Sequence, residues 1–264
     1  MKLHIKDQER AEKFGVIISN MQRFVENIIL FFKKDHFYVQ GMDFTQTALF
    51  EVYLNKDFFD EYELEDEDSN AVGIKTIIIQ KIFNSKNVNQ DITISYQGNP
   101  DKINISFENI KDTSLDIPKY FELPLIEIDT PLLGIPDQEY PLDFSISTKI
   151  FSGLINDLLL FGESIKVQCD EDKICMKSKN YDGSIEVKLF DTNDSVEKIT
   201  DYTIEEDFQL DLDFMNKYFI QFCGFSKLSS MVHLYFSNNM PMQMKYNISD
   251  TSYVRFYLTP LVED

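Results

Sequence analysis

Leu133-Gly134-Ile135-Pro136-Asp137-Gln138-Glu139-Tyr140 lies at the middle of this 264-residue chain. Its glycine and proline, with Pro131 just before it, argue against a helix, because proline cannot donate a backbone hydrogen bond. Its leucine and isoleucine side chains, and Leu132 beside them, are too apolar for a free linker. The stretch is therefore predicted to be a stiff connector between two halves, covered either by the rest of the fold or by a partner.

The two halves repeat one order of elements: strand, helix, several strands, helix, several strands. Apolar spacing predicts helices at 8–21, 74–86, 148–161 and 213–224. Alternating segments separated by turn residues at hairpin spacing predict strands, which lie at 1–7, 28–32, 37–40, 46–54, 92–96, 103–107, 142–146, 165–169, 174–177, 184–189, 231–236 and 242–246. The pattern indicates an α+β protein of two similar domains, each with two helices packed on antiparallel sheets. The helix over 148–161 is expected to turn one broad apolar face to the core, made of Ile150, Phe151, Leu154, Ile155, Leu158 and Leu159.

The composition indicates a folded protein, with 43% hydrophobic residues and 23 phenylalanines. No apolar run is long enough for a transmembrane helix, and the N-terminus lacks the core of a signal peptide. Three cysteines, Cys169, Cys175 and Cys223, form no CxxC pair, which is typical of a reducing interior, nuclear or cytoplasmic. A net charge of −20 by itself argues against nucleic acid as a partner. The acidity lies outside the predicted helices, however, which together carry a small positive charge.

The sequence has no catalytic constellation. His4, His36 and His233 have no metal-ligand spacing, and GxSxG, GxGxxG and Walker A patterns are absent. The acidic run at 61–68 has no glycine bend and no second acidic cluster, so a solvated loop is favoured over a metal site. We therefore predict a protein without enzymatic activity, cofactor or metal.

Four segments, in order and in register, resemble the sliding clamps of the proliferating cell nuclear antigen family. They are Val39-Gln40-Gly41-Met42-Asp43, the connector itself, Lys227-Leu228-Ser229-Ser230, and the tail from Tyr257 to Asp264. The resemblance implies the DNA-clamp fold, with an N-terminal domain at 1–129, a connector at 130–140 and a C-terminal domain at 141–264.

The resemblance also implies a groove for partner peptides, which insert a short helical turn with one aliphatic and two aromatic residues. The matching positions are Met42, Gln46, Thr47, Leu49, Leu133, Ile135, Pro241, Tyr257, Leu258 and Pro260. Each of them alone is more simply a core or turn residue. Gln46 stands where the family commonly has histidine and Thr47 where valine is common, so a more polar groove is expected. Leu261 replaces a usual basic residue.

A second implied site is the DNA-facing lining of the ring. Lys13, Lys81 and Lys217 match basic positions of the family, whereas Asn84, Gly153, Asn156 and Gly224 stand where lysine or arginine is common. Further basic residues nearby are Arg10, Arg23, Lys75, Lys86 and Lys149.

A third implied site is the subunit seam, formed by Tyr120–Ile128 of one chain and Ile174–Leu189 of the next. Pro124 within the first of these strands departs from the family pattern. Proline has no backbone N–H, so it removes one donor from the ladder.

The implied function is that of a homotrimeric processivity factor, which encircles duplex DNA without reading its sequence. Its implied partners are a DNA polymerase, a clamp loader, repair proteins with short binding motifs, and two further copies of itself, but no membrane. The expected location is the nucleus, or a viral replication compartment. One alternative, motivated by Pro124 and the few lysines, is a clamp-fold factor that binds one face of DNA as a monomer or dimer. Another is an enzyme on a duplicated α+β fold.

Overall fold

The computed structural model describes residues 1–64, 70–96, 101–110, 116–129, 131–136 and 138–261. The described chain contains four α-helices: α1 (Gln8–Asn20), α2 (Thr76–Asn84), α3 (Thr148–Leu158) and α4 (Asn216–Cys223). Three short 3-10 helices lie at Met21–Arg23, Lys56–Phe58 and Ser226–Leu228. The predicted α+β class is confirmed.

Nineteen strands accompany these helices in the described residues. The first nine are β1 (Lys2–Ile5), β2 (Asn27–Phe32), β3 (His36–Met42), β4 (Ala48–Asn55), β5 (Glu61–Glu63), β6 (Asn70–Lys75), β7 (Ile92–Ser95), β8 (Lys102–Phe107) and β9 (Lys119–Pro124). The remainder are β10 (Leu142–Ser147), β11 (Ser164–Cys169), β12 (Lys173–Lys179), β13 (Ser184–Asp191), β14 (Val196–Glu197), β15 (Ile199–Ile204), β16 (Leu210–Met215), β17 (Met231–Phe236), β18 (Met242–Asn247) and β19 (Tyr253–Leu258).

The chain forms two compact units, and the main boundary between them lies between Leu133 and Gly134, inside the predicted connector. Unit 1 comprises residues 1–44, 51–133 and 249–253, and unit 2 comprises residues 45–50, 134–248 and 254–264. The strand β4 thus contributes its beginning to unit 2 and its remainder to unit 1. The domain boundaries at 129 and 141 stay a prediction.

Each unit contains two helices and two sets of neighbouring strands. In unit 1 the strand orders are β5-β1-β7-β8-β9 and β4-β3-β2-β6. In unit 2 they are β14-β13-β12-β11-β16 and β15-β10-β17-β18-β19-β4. The antiparallel ladders bury one set of alternating side chains and leave the other set toward solvent, as in β11, where Ile165, Val167 and Cys169 are buried.

The internal repeat is visible at the start of the second helix of each unit. The first N–H of α2, at Thr76, donates to the carbonyl of Glu26, 2.9 Å away. The first N–H of α4, at Asn216, donates to the carbonyl of Glu163 at the same distance. Each glutamate lies one residue before the strand that follows the first helix, β2 or β11. An N–H at the start of a helix has no partner within the helix, so the same connection satisfies it in both units.

Phenylalanine rings fill the two cores. In unit 1, Phe14 of α1 is fully buried and lies 5.7 Å, centroid to centroid, from both Phe37 and Phe83. In unit 2, Phe256 of β19 stacks on Phe222 of α4 at 4.5 Å. Tilted and stacked aromatic pairs at such distances stabilise a core beyond the area they bury.

Several sequence predictions need correction. The helix starts at 74 and 213 are too early, because Ile74 and Lys75 belong to β6 and residues 213–215 belong to β16. Ile150 does not face the core, since 48% of it is exposed while Phe151 beside it is buried.

The acidic run at 61–68 was also interpreted wrongly at its start. Residues 61–63 form β5, because they pair with β1 in the register His4 to Glu61. The rest of the run, 65–68, lies outside the described residues. The strand predicted at 120–128 ends at Pro124, which is therefore its last residue and not an interior one.

Candidate functional site

The strand β19 places Tyr257 on its solvent-facing side, where the side chain is half-buried. Val254, Phe256 and Leu258 are buried, and the residues between them are half-buried, as strand alternation requires. The guanidinium of Arg255 lies 5.8 Å from the Tyr257 ring centroid on that half-buried face. Leu258 has no exposed surface, so its side chain packs in the core beneath β19 and cannot contact a partner.

The chain just before β4 is tied to the residues after β19. The N–H and the hydroxyl of Thr259 both donate to the carbonyl of Thr47, at 3.0 and 3.3 Å. Gln46 is exposed and adopts a left-handed backbone with φ of 56°, which is uncommon for a residue with a side chain. Leu49 and Pro260 are half-buried. Unit 2 thus brings these predicted groove residues to two neighbouring segments.

The second half of the connector joins unit 2 through Tyr140. Its hydroxyl donates to the carbonyl of Pro241, 3.2 Å away, and its ring lies 5.6 Å from that of Tyr235. Burial raises the pKa of the Tyr140 phenol, so the hydroxyl keeps its proton and remains a donor. Ile135 and Pro241 are half-buried.

The first half of the connector joins unit 1 through Gln40, a residue whose role the sequence did not reveal. The N–H of Leu133 donates to Oε1 of Gln40 at 2.8 Å, and Nε2 of Gln40 donates to the carbonyl of Leu133 at 3.0 Å. Leu132 and Leu133 are 39% and 44% exposed. Met42, the last residue of β3, is half-buried. The predicted groove residues therefore fall into two groups, Met42 and Leu133 in unit 1 and the others in unit 2.

The predicted DNA-facing side chains differ in how free their charges are. Lys81 on α2, Lys217 on α4, Lys149 on α3, Arg23 and Lys75 are exposed. Lys13 is paired with Glu9 one turn earlier on α1, at 2.7 Å. Arg10 is committed to its own unit, since it donates to the carboxylate of Asp60 at 2.8 Å and to the carbonyl of Phe58 at 3.0 Å. Lys86 is half-buried, and burial lowers the pKa of its amino group.

The exposed faces of the helices are less basic and more apolar than expected. Ile77, Ile78, Ile150 and Ile220 are 37–48% exposed. Asn84, Gly153 and Asn156 are exposed and Gly224 is half-buried. The described helices therefore offer few cations to a polyanion.

In each unit, one sheet has an edge strand whose outer side has no neighbouring strand among the described residues. In the described part of unit 1, β9 has β8 on one side and no strand on the other. In unit 2, the short β14 pairs only with Phe190 and Asp191 of β13, which leaves Ser184–Lys188 without a strand neighbour on that side in the described residues. These strands lie within the two segments predicted for the subunit seam.

Two further sequence predictions concern metals and membranes. Nowhere in the described ranges do three His, Cys, Asp or Glu side chains converge as a metal site requires. Each helix in those ranges is too short or too polar to span a bilayer. The three cysteines are unpaired, and burial raises the pKa of the Cys223 thiol to about 11.

Comparison with known proteins connects these features. The family model for the N-terminal domain of proliferating cell nuclear antigen matches residues 8–131, and that for the C-terminal domain matches residues 134–261. The chain belongs to the proliferating cell nuclear antigen family. It is 28% identical over 227 residues to the proliferating cell nuclear antigen of Chaetomium thermophilum, a match that covers 86% of this chain and 85% of the relative.

Membership in the family makes this chain a DNA sliding clamp with the two-domain clamp fold. Such clamps are scaffolds without enzymatic activity, so the rival hypothesis of an enzyme is excluded. Clamps of this family self-assemble as trimers and bind DNA, polymerases, clamp loaders and proteins with short interaction motifs. The family is one of nuclear replication proteins.

Proposed function

We propose that partners of this clamp dock on a set of half-buried and exposed, mostly apolar side chains around the connector and β19. The proposed contacts are Met42, Gln46, Thr47, Leu49, Leu133, Ile135, Pro241, Tyr257 and Pro260, with Leu258 as buried support. The observation that carries the proposal is the exposure of the connector: Leu132 and Leu133 leave 39% and 44% of their surface in solvent. Large apolar side chains held at a surface are suitable anchors for a short helical peptide.

The electrostatic part of the proposal concerns duplex DNA. The exposed lysines Lys81, Lys149 and Lys217 would line the ring, assisted by Arg23, Lys75 and partly paired Lys13. Arg10 and Lys86 contribute less, because the first is bound to Asp60 and the second is half-buried. A ring is held on DNA by its topology, so weak phosphate attraction that is independent of sequence is sufficient and permits sliding.

We further propose that the seam joins β9 of one chain to β13 of the next. Among the described residues, both strands have no neighbouring strand along all or most of one side, which is what strand addition requires. The Pro124 ring at the end of β9 removes one donor without interrupting the ladder. This head-to-tail contact closes into a ring of three. We place the ring in the nucleus, or in the replication compartment of a large DNA virus.

The test of the groove measures the affinity of the clamp for a peptide that carries one aliphatic and two aromatic residues in a helical turn. Ile135→Ala and Tyr257→Ala should each weaken its binding by about thirtyfold, because truncating a central anchor typically costs about 2 kcal/mol. Leu160→Ala is the matched control, since Leu160 is a 68% exposed apolar side chain just after α3, outside the proposed groove and the proposed seam. Gln46→His should change which peptides bind best if this side chain contacts the partner.

Calorimetric titration gives the affinities, and light scattering gives the mass of each variant. The mass should remain about 93 kDa, three times the 31.0 kDa chain. Peptide binding by both alanine variants at the level of the parent would refute the groove. A mass of one chain at micromolar concentration would refute the ring and favour a monomeric clamp-fold factor.

A further inference from the structure

Gln40 stands on the half-buried face of β3, the strand that ends at Met42. Its side-chain amide binds both backbone polar groups of Leu133, the N–H and the carbonyl. The N–H of Leu133 donates to Oε1 at 2.8 Å, and Nε2 donates to the carbonyl of Leu133 at 3.0 Å. The side chain thereby makes the same pair of bonds that a neighbouring strand would make to one residue of a ladder.

The orientation of this amide is determined by its partners. If its oxygen and nitrogen were exchanged, the Leu133 N–H would face an NH2 group and the Leu133 carbonyl would face an oxygen. Nε2 also lies 3.2 Å from the hydroxyl of Tyr38, two residues earlier on the same face of β3. The Gln40 side chain is thus fixed by three polar partners, of which two belong to the connector.

The connector needs such an attachment. Its described residues, 131–136 and 138–140, lie in neither a helix nor a strand. Glycine at position 134 also adds backbone freedom directly after Leu133. Without an external anchor this segment would sample many conformations, and a partner that binds it would have to order it.

We propose that Gln40 is a positioning residue for the partner-peptide site: it holds the backbone N–H and carbonyl of Leu133 and so presents the connector in its binding conformation before a partner arrives. The inference rests on the proposed function of the connector. Ile135, a proposed anchor, is two residues after Leu133, so its Cα lies within about 7 Å of that of Leu133. Fixing one therefore restricts the other, and the entropy lost on peptide binding is smaller.

The test compares two substitutions with a matched control. Gln40→Met keeps the length of the side chain and removes both bonds. Gln40→Glu keeps an acceptor for the Leu133 N–H but has no hydrogen to donate to the Leu133 carbonyl. The control is Gln80→Met on α2, which removes a bond of the same kind, from Nε2 to the carbonyl of Ser19 at 3.0 Å.

Hydrogen exchange of the Leu133 amide, measured by NMR, reports the anchor directly. We expect about tenfold faster exchange in Gln40→Met, which loses the bond to the Leu133 N–H, since one hydrogen bond of this type changes an equilibrium by about that factor. Gln40→Glu should show a smaller increase, because it keeps this acceptor but faces the Leu133 carbonyl with a second oxygen, and Gln80→Met should exchange like the parent. The motif peptide should bind about tenfold more weakly to Gln40→Met, and its affinity for Gln80→Met should be unchanged.

Two outcomes overturn the proposal. Unchanged Leu133 exchange in Gln40→Met would show that the anchor does not form in solution. Weaker peptide binding without faster exchange would mean that Gln40 touches the peptide instead of holding the connector. Ile135→Ala and Tyr257→Ala distinguish a failure of the positioning role from a failure of the groove. If these two variants lose peptide binding while Gln40→Met does not, only the positioning role of Gln40 is wrong. If all three variants bind the peptide like the parent, the proposed groove itself is wrong. Should Gln40→Met not fold, Gln40→Ala, which also removes both bonds, replaces it in both measurements, with the same expected and contradicting results.

Discussion

Gly73→Ala should destabilise unit 1 strongly, because β6 passes very close to the segment that follows β9. A Cβ at Gly73 would lie 2.2 Å from the carbonyl oxygen of Ile126 and 3.0 Å from the side chain of Ile128, whereas ordinary contact begins at 3.4 Å. The strand β6 is held by an unbroken register with β2, from Asn27 opposite Lys75 to Phe32 opposite Asn70. The segment at 125–128 must therefore move by about 1 Å to admit the methyl group.

This movement stretches the hydrogen bond from the Ile126 N–H to the Gly73 carbonyl, now 2.9 Å. Loss of that bond costs about 1 kcal/mol, and an overpacked methyl group adds about 1–3 kcal/mol. The free energy of unfolding should fall by about 2–4 kcal/mol in total, which lowers the midpoint of the unit 1 transition by roughly 7–14 °C. Differential scanning calorimetry is the appropriate assay, since a chain of two units need not unfold in one step.

Gly15→Ala and Gly153→Ala are the matched controls within α1 and α3. At either position an added Cβ meets no atom within 4 Å beyond the backbone of its own helix, so alanine there should stabilise by about 0.5–1 kcal/mol through its better helix propensity. If Gly73→Ala unfolded at the same temperature as Gly15→Ala, the close approach of Ile126 would be wrong.

Two further predictions concern charged side chains. Hydrogen bonds from Lys2, His4 and Lys6 lower the pKa of the Glu61 carboxyl to about 2, so its contribution to stability is fully present above the unfolded-state pKa of about 4.3 and is lost as the pH falls toward 2. Urea unfolding of the parent and of Glu61→Gln should differ at pH 6 and converge near pH 2, and a constant difference across that range would contradict the pairing. Lys81→Glu combined with Lys217→Glu should weaken stimulation of a DNA polymerase at low salt, with an effect that shrinks as salt screens the charges. The matched control is Lys34→Glu with Lys198→Glu, two exposed lysines outside the helices, and equal processivity of both double variants at low salt would refute the assignment.

The two-fold repeat and the elements themselves could be predicted from the sequence. Apolar residues at helical spacing determine α1 and α3 to within a few residues, and alternation determines hairpins such as β2–β3 and β11–β12, because these patterns are written in neighbouring residues. The connector stood out for the same reason, as an apolar, proline-containing stretch with no periodic pattern. The resemblance to sliding clamps followed from four short motifs, and both family models confirmed it.

The tertiary structure alone decided which of those residues are free to act. Arg10 has the charge of a DNA contact, but its guanidinium is bound by Asp60, fifty residues away. Leu258 has the apolar side chain of a groove residue, but strand alternation turns it into the core. Gln40 lies in one of the four motifs, but its role could not be predicted, because its partner Leu133 lies 93 residues later in the chain. A sequence determines local conformation through adjacent residues, whereas the use of a charge, a face or an amide depends on what folding brings against it.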